Sequence, residues 1–142
     1  MSDLVSIGSS PAITCTAATS MSQAARLMGD AGIGVLVVVD DQQCVVGVAT
    51  DRDIAVRGVG RDLPPETQVG SIMTQEISTV RRDTEVADAA RQMAVRGCRR
   101  LPVVDDDGRI LAVLSADDLY RVSSEVLAEL DRVLGRGRTG NH

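Results

Sequence analysis

With 142 residues, 44% hydrophobic and 25% charged, the chain has an ordinary globular make-up, and at this length about 68% of the unfolded surface can be buried, enough for one core and not two. A formal net charge of −5 argues against generic nucleic-acid binding, and with Tyr120 as sole aromatic there is no platform on which single-stranded bases could stack. Apolar runs such as Ile33 to Val39 stop short of the roughly 18 residues a membrane helix needs. No basic segment followed by an apolar one marks a signal peptide. The reading is a cytoplasmic protein without nucleic-acid or membrane partners.

Leu4 to Ile7 reads as a single helical turn, and the chain enters a strand near Ile13-Thr14-Cys15. Ser20 to Ala31 carries Met21, Ala24, Ala25, Leu27 and Met28 at helical spacing, with Gly32 at the C-cap. The run Val35 to Val39 is a buried strand, Asp40 to Gln43 a turn and Val45 to Ala49 the return strand of a hairpin. Thr50 then opens a short helix ending near Gly58, and residues 59–68, with Pro64-Pro65, read as a linker.

The second half repeats this order. Val69 to Met73 is a short helical turn, Ser78-Thr79-Val80 a strand entry and Thr84 to Arg96 a helix. Leu101 to Val104 and Arg109 to Leu114 are strands joined by the turn Asp105-Asp106-Asp107-Gly108. Ser115 opens a closing helix whose apolar stripe, Leu119, Val122, Val126, Leu130, Val133 and Leu134, runs to near Gly135. That stripe extends about two turns beyond the first copy's helix, and either folds back on its own domain or meets a partner subunit. The tail from Gly135 to His142 is expected to be disordered.

The halves are copies. Shifted by 65 positions, Leu4 to Ile54 falls on Val69 to Leu119 without a gap, with 16 of 51 positions identical. Two copies are too few for a solenoid, so a pseudo-two-fold pair packed face to face is expected, with a cleft between the units as the natural ligand site. The fold class is therefore α/β, two β-α-β-β-α repeats packed as one domain: residues 1–58, a linker at 59–68, residues 69–122, and an extended terminal helix and tail at 123–142.

Cys15, Cys44 and Cys98 have neither the count nor the clustering of a disulfide framework or zinc site. Cys15 aligns with Val80 and Cys98 with Ile33, so both read as small core hydrophobes, and Cys44 as exposed at a strand start. All fifteen basic residues are arginine, which reads as compositional bias more than as phosphate recognition. The sole histidine is His142 and no nucleophile and base are grouped, so catalysis has no support.

Chemistry concentrates at the strand-to-helix junctions, where Thr50 precedes Asp53 and Ser115 precedes Asp118 by three positions. A hydroxyl N-cap with a carboxylate at the third helical position forms a relative of the capping box. The same carboxylate could accept hydrogen bonds from paired sugar hydroxyls, as the acidic residue of dinucleotide folds does.

With the segment Leu101-Pro102-Val103-Val104-Asp105, these junctions and the duplicated unit resemble a tandem pair of CBS domains over about Leu4 to Tyr120. The resemblance implies a disc-shaped pair with two clefts that bind adenine nucleotides or adenosyl compounds: AMP, ADP, ATP or S-adenosylmethionine, with no required cofactor and no metal. It places Asp53 and Asp118 on ribose hydroxyls and Thr50 and Ser115 toward the phosphate or ribose. Ile13, Thr14, Cys15, Ser78, Thr79 and Val80 would frame the adenine. Arg99 and Arg100 are phosphate contacts or a solvated basic patch.

The copies differ at Gly47 against Ala112 and at Arg52 against Asp117, which favours the Asp53 junction as the better nucleotide site. The implied protein is a stand-alone, non-enzymatic regulatory module that senses the ligand and transmits its presence to an effector protein, as a homodimer. The alternatives are a ligand-free dimeric interaction or stress-response protein, and a redox- or metal-responsive protein using the cysteines.

Overall fold

The apolar run Val35 to Val39 becomes the middle strand of its sheet, and Leu101 to Val104 that of the second. In the computed structural model, which describes residues 3–135, Val35–Val39 (β2) lies between Thr14–Cys15 (β1), parallel to it, and Val45–Thr50 (β3), antiparallel. Met21–Ala31 (α2) connects β1 to β2, and Leu4–Ile7 (α1) precedes them. After β3 the chain turns through Asp51–Asp53 (α3). The second copy repeats the plan with Val80–Arg81 (β4), Val86–Arg96 (α4), Arg100–Val104 (β5), Ile110–Ser115 (β6) and Ala116–Leu134 (α5). The class is α/β as expected, each CBS-like repeat contributing a three-stranded mixed sheet and its helices.

Local chemistry explains where the elements start and stop. Ser20 Oγ accepts the Gln23 N–H to begin α2, and Gly32 ends it at φ +66°, a conformation glycine adopts without a Cβ penalty. The helix expected from Thr84 starts two residues later, because the Thr84 hydroxyl accepts the Arg81 N–H in a turn, as Thr19 does for Thr16. The helix opened by Thr50 is α-helical only to Asp53, then widens to a π-helical turn over Ile54–Gly58 and tightens to a 3-10 turn over Val59–Arg61. Gly58 lies so close to Met21 that a Cβ would meet its Sδ at 2.4 Å.

The leading turns are exchanged between the copies. Leu4, fully buried, sits in the second copy's core with Val80, Met93, Leu101 and Leu114, and its N–H bonds the Arg82 carbonyl. Asp3 pairs with Arg82 at 2.8 Å, a hydrogen bond that holds its carboxyl below the usual range. Reciprocally, Val69 fills the first copy's core with Met28, Leu36 and Val38. Each leading segment also bridges the other copy's return strand, Ser9 with Val113 and Thr74 with Val48. Neither repeat has a complete core without the other's first turn.

These crossings require close backbone approach, and a small residue on opposite partners provides it. A Cβ on Gly47 would meet the Thr74 carbonyl oxygen at 2.7 Å, and one on Gly8 would meet that of Val113 at 2.6 Å. Gly8 aligns with Met73, and Gly47 with Ala112. The contrast between Gly47 and Ala112 therefore accompanies packing of the exchanged segments.

The hairpin turns meet at the pseudo-two-fold. Cys44 and Arg109, equivalent by the 65-residue shift, pair with each other, flanked by the equivalent bonds Val45 N–H to Gly108 O and Ile110 N–H to Gln43 O. Cys44, expected to be exposed, is half-buried in this seam, its thiol donating to the Asp107 carbonyl. Beyond Val122 the apolar stripe of α5 is not covered by the described residues, Leu130 being 49% and Val133 80% exposed. Gly135 caps α5 in the left-handed conformation. The rest of the expected tail lies outside the described residues.

Candidate functional site

Both junctions are complete capping boxes. Thr50 Oγ1 accepts from the Asp53 N–H at 3.0 Å while Asp53 Oδ2 accepts from the Thr50 N–H at 3.1 Å. Ser115 and Asp118 repeat this at 3.0 and 2.9 Å. The helix starts also use their donors internally. Asp51 and Ala116 donate to the Gly34 and Arg99 carbonyls.

The carboxylates then diverge. Asp53 is only 7% exposed, because the Thr74 hydroxyl lies 3.3 and 3.2 Å from its two oxygens and Arg57 approaches Oδ1 at 3.9 Å. Arg57 in turn donates to the carbonyls of Ile72 and Met73, clamping the exchanged segment over Asp53. At the other junction Arg121 holds both Asp118 Oδ1, at 3.3 Å, and the Ile7 carbonyl, at 3.1 Å. Ser9 takes the place of Thr74 there, and among the described residues its backbone alone engages that repeat, by pairing with Val113. Asp118 is left less covered.

Asp118 borders a cavity of about 410 Å³ between the repeats, lined by Ile13 and Gly34 of one copy and Arg100, Ser115 and Asp117 of the other. Ile13, Arg100, Ser115 and Asp118 are thus brought together. Thr14 and Cys15 instead face a separate cavity beside α2, with Gln23 and Arg26. Ser78, Thr79 and Val80 border the equivalent cavity beside α4, with Arg81 and Arg91. Thr50 and Asp53 belong to the junction closed by Thr74, whereas Arg52 and Arg99 project as exposed side chains.

Sequence reasoning passed over Thr74, Ser9 and Gly34. The shift that pairs Thr74 with Ser9 carried the signal, since both hydroxyls follow an exchanged turn. A Cβ on Gly34 would meet Asp51 Oδ2 at 2.9 Å.

Cys15 is buried, and desolvation pushes its thiol pKa up, disfavouring the thiolate. Cys98 packs on the second core. Replacing Cys15 by Val or Cys98 by Ile copies the other repeat's residue, and each should alter unfolding free energy by less than about 1.5 kcal/mol in urea melts. Loss of the fold in either variant contradicts a packing role. Among the described residues no cluster of three His, Cys, Asp or Glu is placed to hold a metal, and no helix is long and apolar enough to cross a membrane.

The sequence matches the family model of the CBS domain twice, over residues 3–59 and 69–125. The chain belongs to the CBS-domain family. An uncharacterized protein of Methanopyrus kandleri is 31% identical over 120 residues, covering 84% of this CBS pair but 61% of the relative's length. Among solved structures, the CBS domain pair of protein MJ0100, in complex with 5′-methylthioadenosine and S-adenosylmethionine, superposes with a TM-score of 0.78 at 27% identity, covering 88% of this chain and 98% of that one. CBSX2 in complex with AMP gives 0.76 at 26% identity, with 89% and 98% covered. Structural relatives of this CBS pair thus bind AMP and adenosyl compounds.

Proposed function

We propose that this CBS pair is a non-catalytic regulatory module that binds an adenine nucleotide or adenosyl compound between its repeats and conveys occupancy to an effector protein. The cleft beside Asp118 carries this reading. It is formed by both copies, its volume of about 410 Å³ suits a small ligand, and the Asp118 carboxylate is fixed by Ser115 and Arg121 while remaining beside the opening. We assign Asp118 the ribose hydroxyls and Ile13 an aliphatic contact to the base. The Asp53 junction, favoured from sequence, becomes the secondary site, because Asp53 is buried with the Thr74 hydroxyl against its carboxylate.

At about 100 times its dissociation constant, a bound ligand should stabilise the fold by roughly 2.7 kcal/mol, a melting shift of about 5 to 10 °C for a chain of this size. A thermal-shift series with AMP, ADP, ATP and S-adenosylmethionine checks this. No shift with any of them at millimolar concentration favours the ligand-free interaction reading, which the closed Asp53 junction also supports.

A homodimer is the proposed assembly. Val126, Leu127, Leu130 and Val133 leave an apolar face on α5, and two-fold self-association is the commonest way to cover one. Light scattering at tens of micromolar should return twice the 15.0 kDa chain mass, with Leu130→Glu shifting it toward monomer. A monomeric wild type contradicts the assembly.

A further inference from the structure

We infer that the cleft at Asp118 selects adenosyl compounds lacking a 5′-phosphate, with a neutral thioether or cationic sulfonium there, over adenine nucleotides. The inference rests on the ligand-binding reading above and concerns the charge of its ligand. Three observations carry it.

The cavity wall holds one arginine, Arg100, against two aspartates, Asp117 and Asp118. Arg121 offsets Asp118 by pairing with it, which leaves Arg100 balanced by Asp117 on the wall and no surplus cation for a phosphate.

The start of α5 offers little to an anion as well. A helix N-terminus binds phosphate through free N–H groups and its positive dipole end. Here the Ala116 N–H is spent on the Arg99 carbonyl at 2.8 Å and the Asp118 N–H on Ser115 Oγ at 3.0 Å. The Asp117 and Asp118 carboxylates oppose the dipole's positive end.

The duplication supplies the contrast. Arg52 occupies the position of Asp117 in the first copy, so the second junction carries a carboxylate where its twin carries a guanidinium. An arginine and an aspartate flanking the cleft also match a ligand bearing both a carboxylate and a positive centre, as S-adenosylmethionine does.

Isothermal titration of the whole chain with 5′-methylthioadenosine, S-adenosylmethionine, AMP and ATP tests this. The thioether and sulfonium compounds should bind at least about tenfold more tightly than AMP or ATP. Asp117→Arg should move the AMP to methylthioadenosine affinity ratio about tenfold or more toward AMP. Asp117→Asn, which keeps the side chain's size, should move it the same way by less, and serves if the arginine variant fails to fold. AMP binding as tightly as methylthioadenosine in the wild type overturns the selectivity while leaving the adenosyl site standing. An affinity ratio unchanged by both substitutions overturns the role of Asp117. Binding by none of the four compounds overturns the ligand reading itself.

Discussion

Leu4→Ala should cost about 2 to 5 kcal/mol of unfolding free energy, an effect out of proportion to a residue four positions from the amino terminus. The side chain is fully buried, and its neighbours Val80, Met93, Leu101 and Leu114 all belong to the other repeat. Truncation leaves a cavity those residues cannot close, because Ser9 pairs with Val113 and fixes the segment's backbone against β6. Urea denaturation of wild type and variant gives the difference. A loss below about 1 kcal/mol would mean that the exchanged turn is not part of the second repeat's core.

Asp53→Ala should destabilise the fold by about 2 to 4 kcal/mol, and Asp118→Ala by about 1 kcal/mol. Both lose a capping box. Each also frees an arginine, Arg57 or Arg121, and only Asp53→Ala strips the Thr74 hydroxyl of its acceptor. Such an orphaned polar group costs more than the hydrogen bond itself contributed. Equal losses in urea melts of the two variants would contradict the difference drawn between the junctions.

The duplication was fully legible, since aliphatic runs, capping residues and turns recur at a fixed shift, and these set the α/β class and the family. The sheets follow from Val35 to Val39 and Leu101 to Val104, whose apolar character leaves little choice but a middle strand. The exchange of α1 and the turn at Val69 was not legible. Leu4 and Val69 are apolar in either arrangement, and only three-dimensional closure decides whose core they enter.

The candidate site was half legible for a related reason. Local spacing revealed the Thr50 to Asp53 and Ser115 to Asp118 boxes, yet which carboxylate is the more covered depends on Thr74 and Ser9, delivered from the opposite repeat. Likewise Ile13 and Thr14 are adjacent in sequence but border different cavities.

The most direct test of the account is isothermal titration of 5′-methylthioadenosine into wild type, Asp118→Ala and Asp53→Ala, each first shown to be folded by its melt. Wild type should bind saturably, Asp53→Ala should retain affinity within a few-fold, and Asp118→Ala should lose about tenfold or more, the scale of one hydrogen-bonded charged group. Undiminished binding by Asp118→Ala, with the loss falling on Asp53→Ala instead, would contradict the assignment of the ligand to the Asp118 cleft.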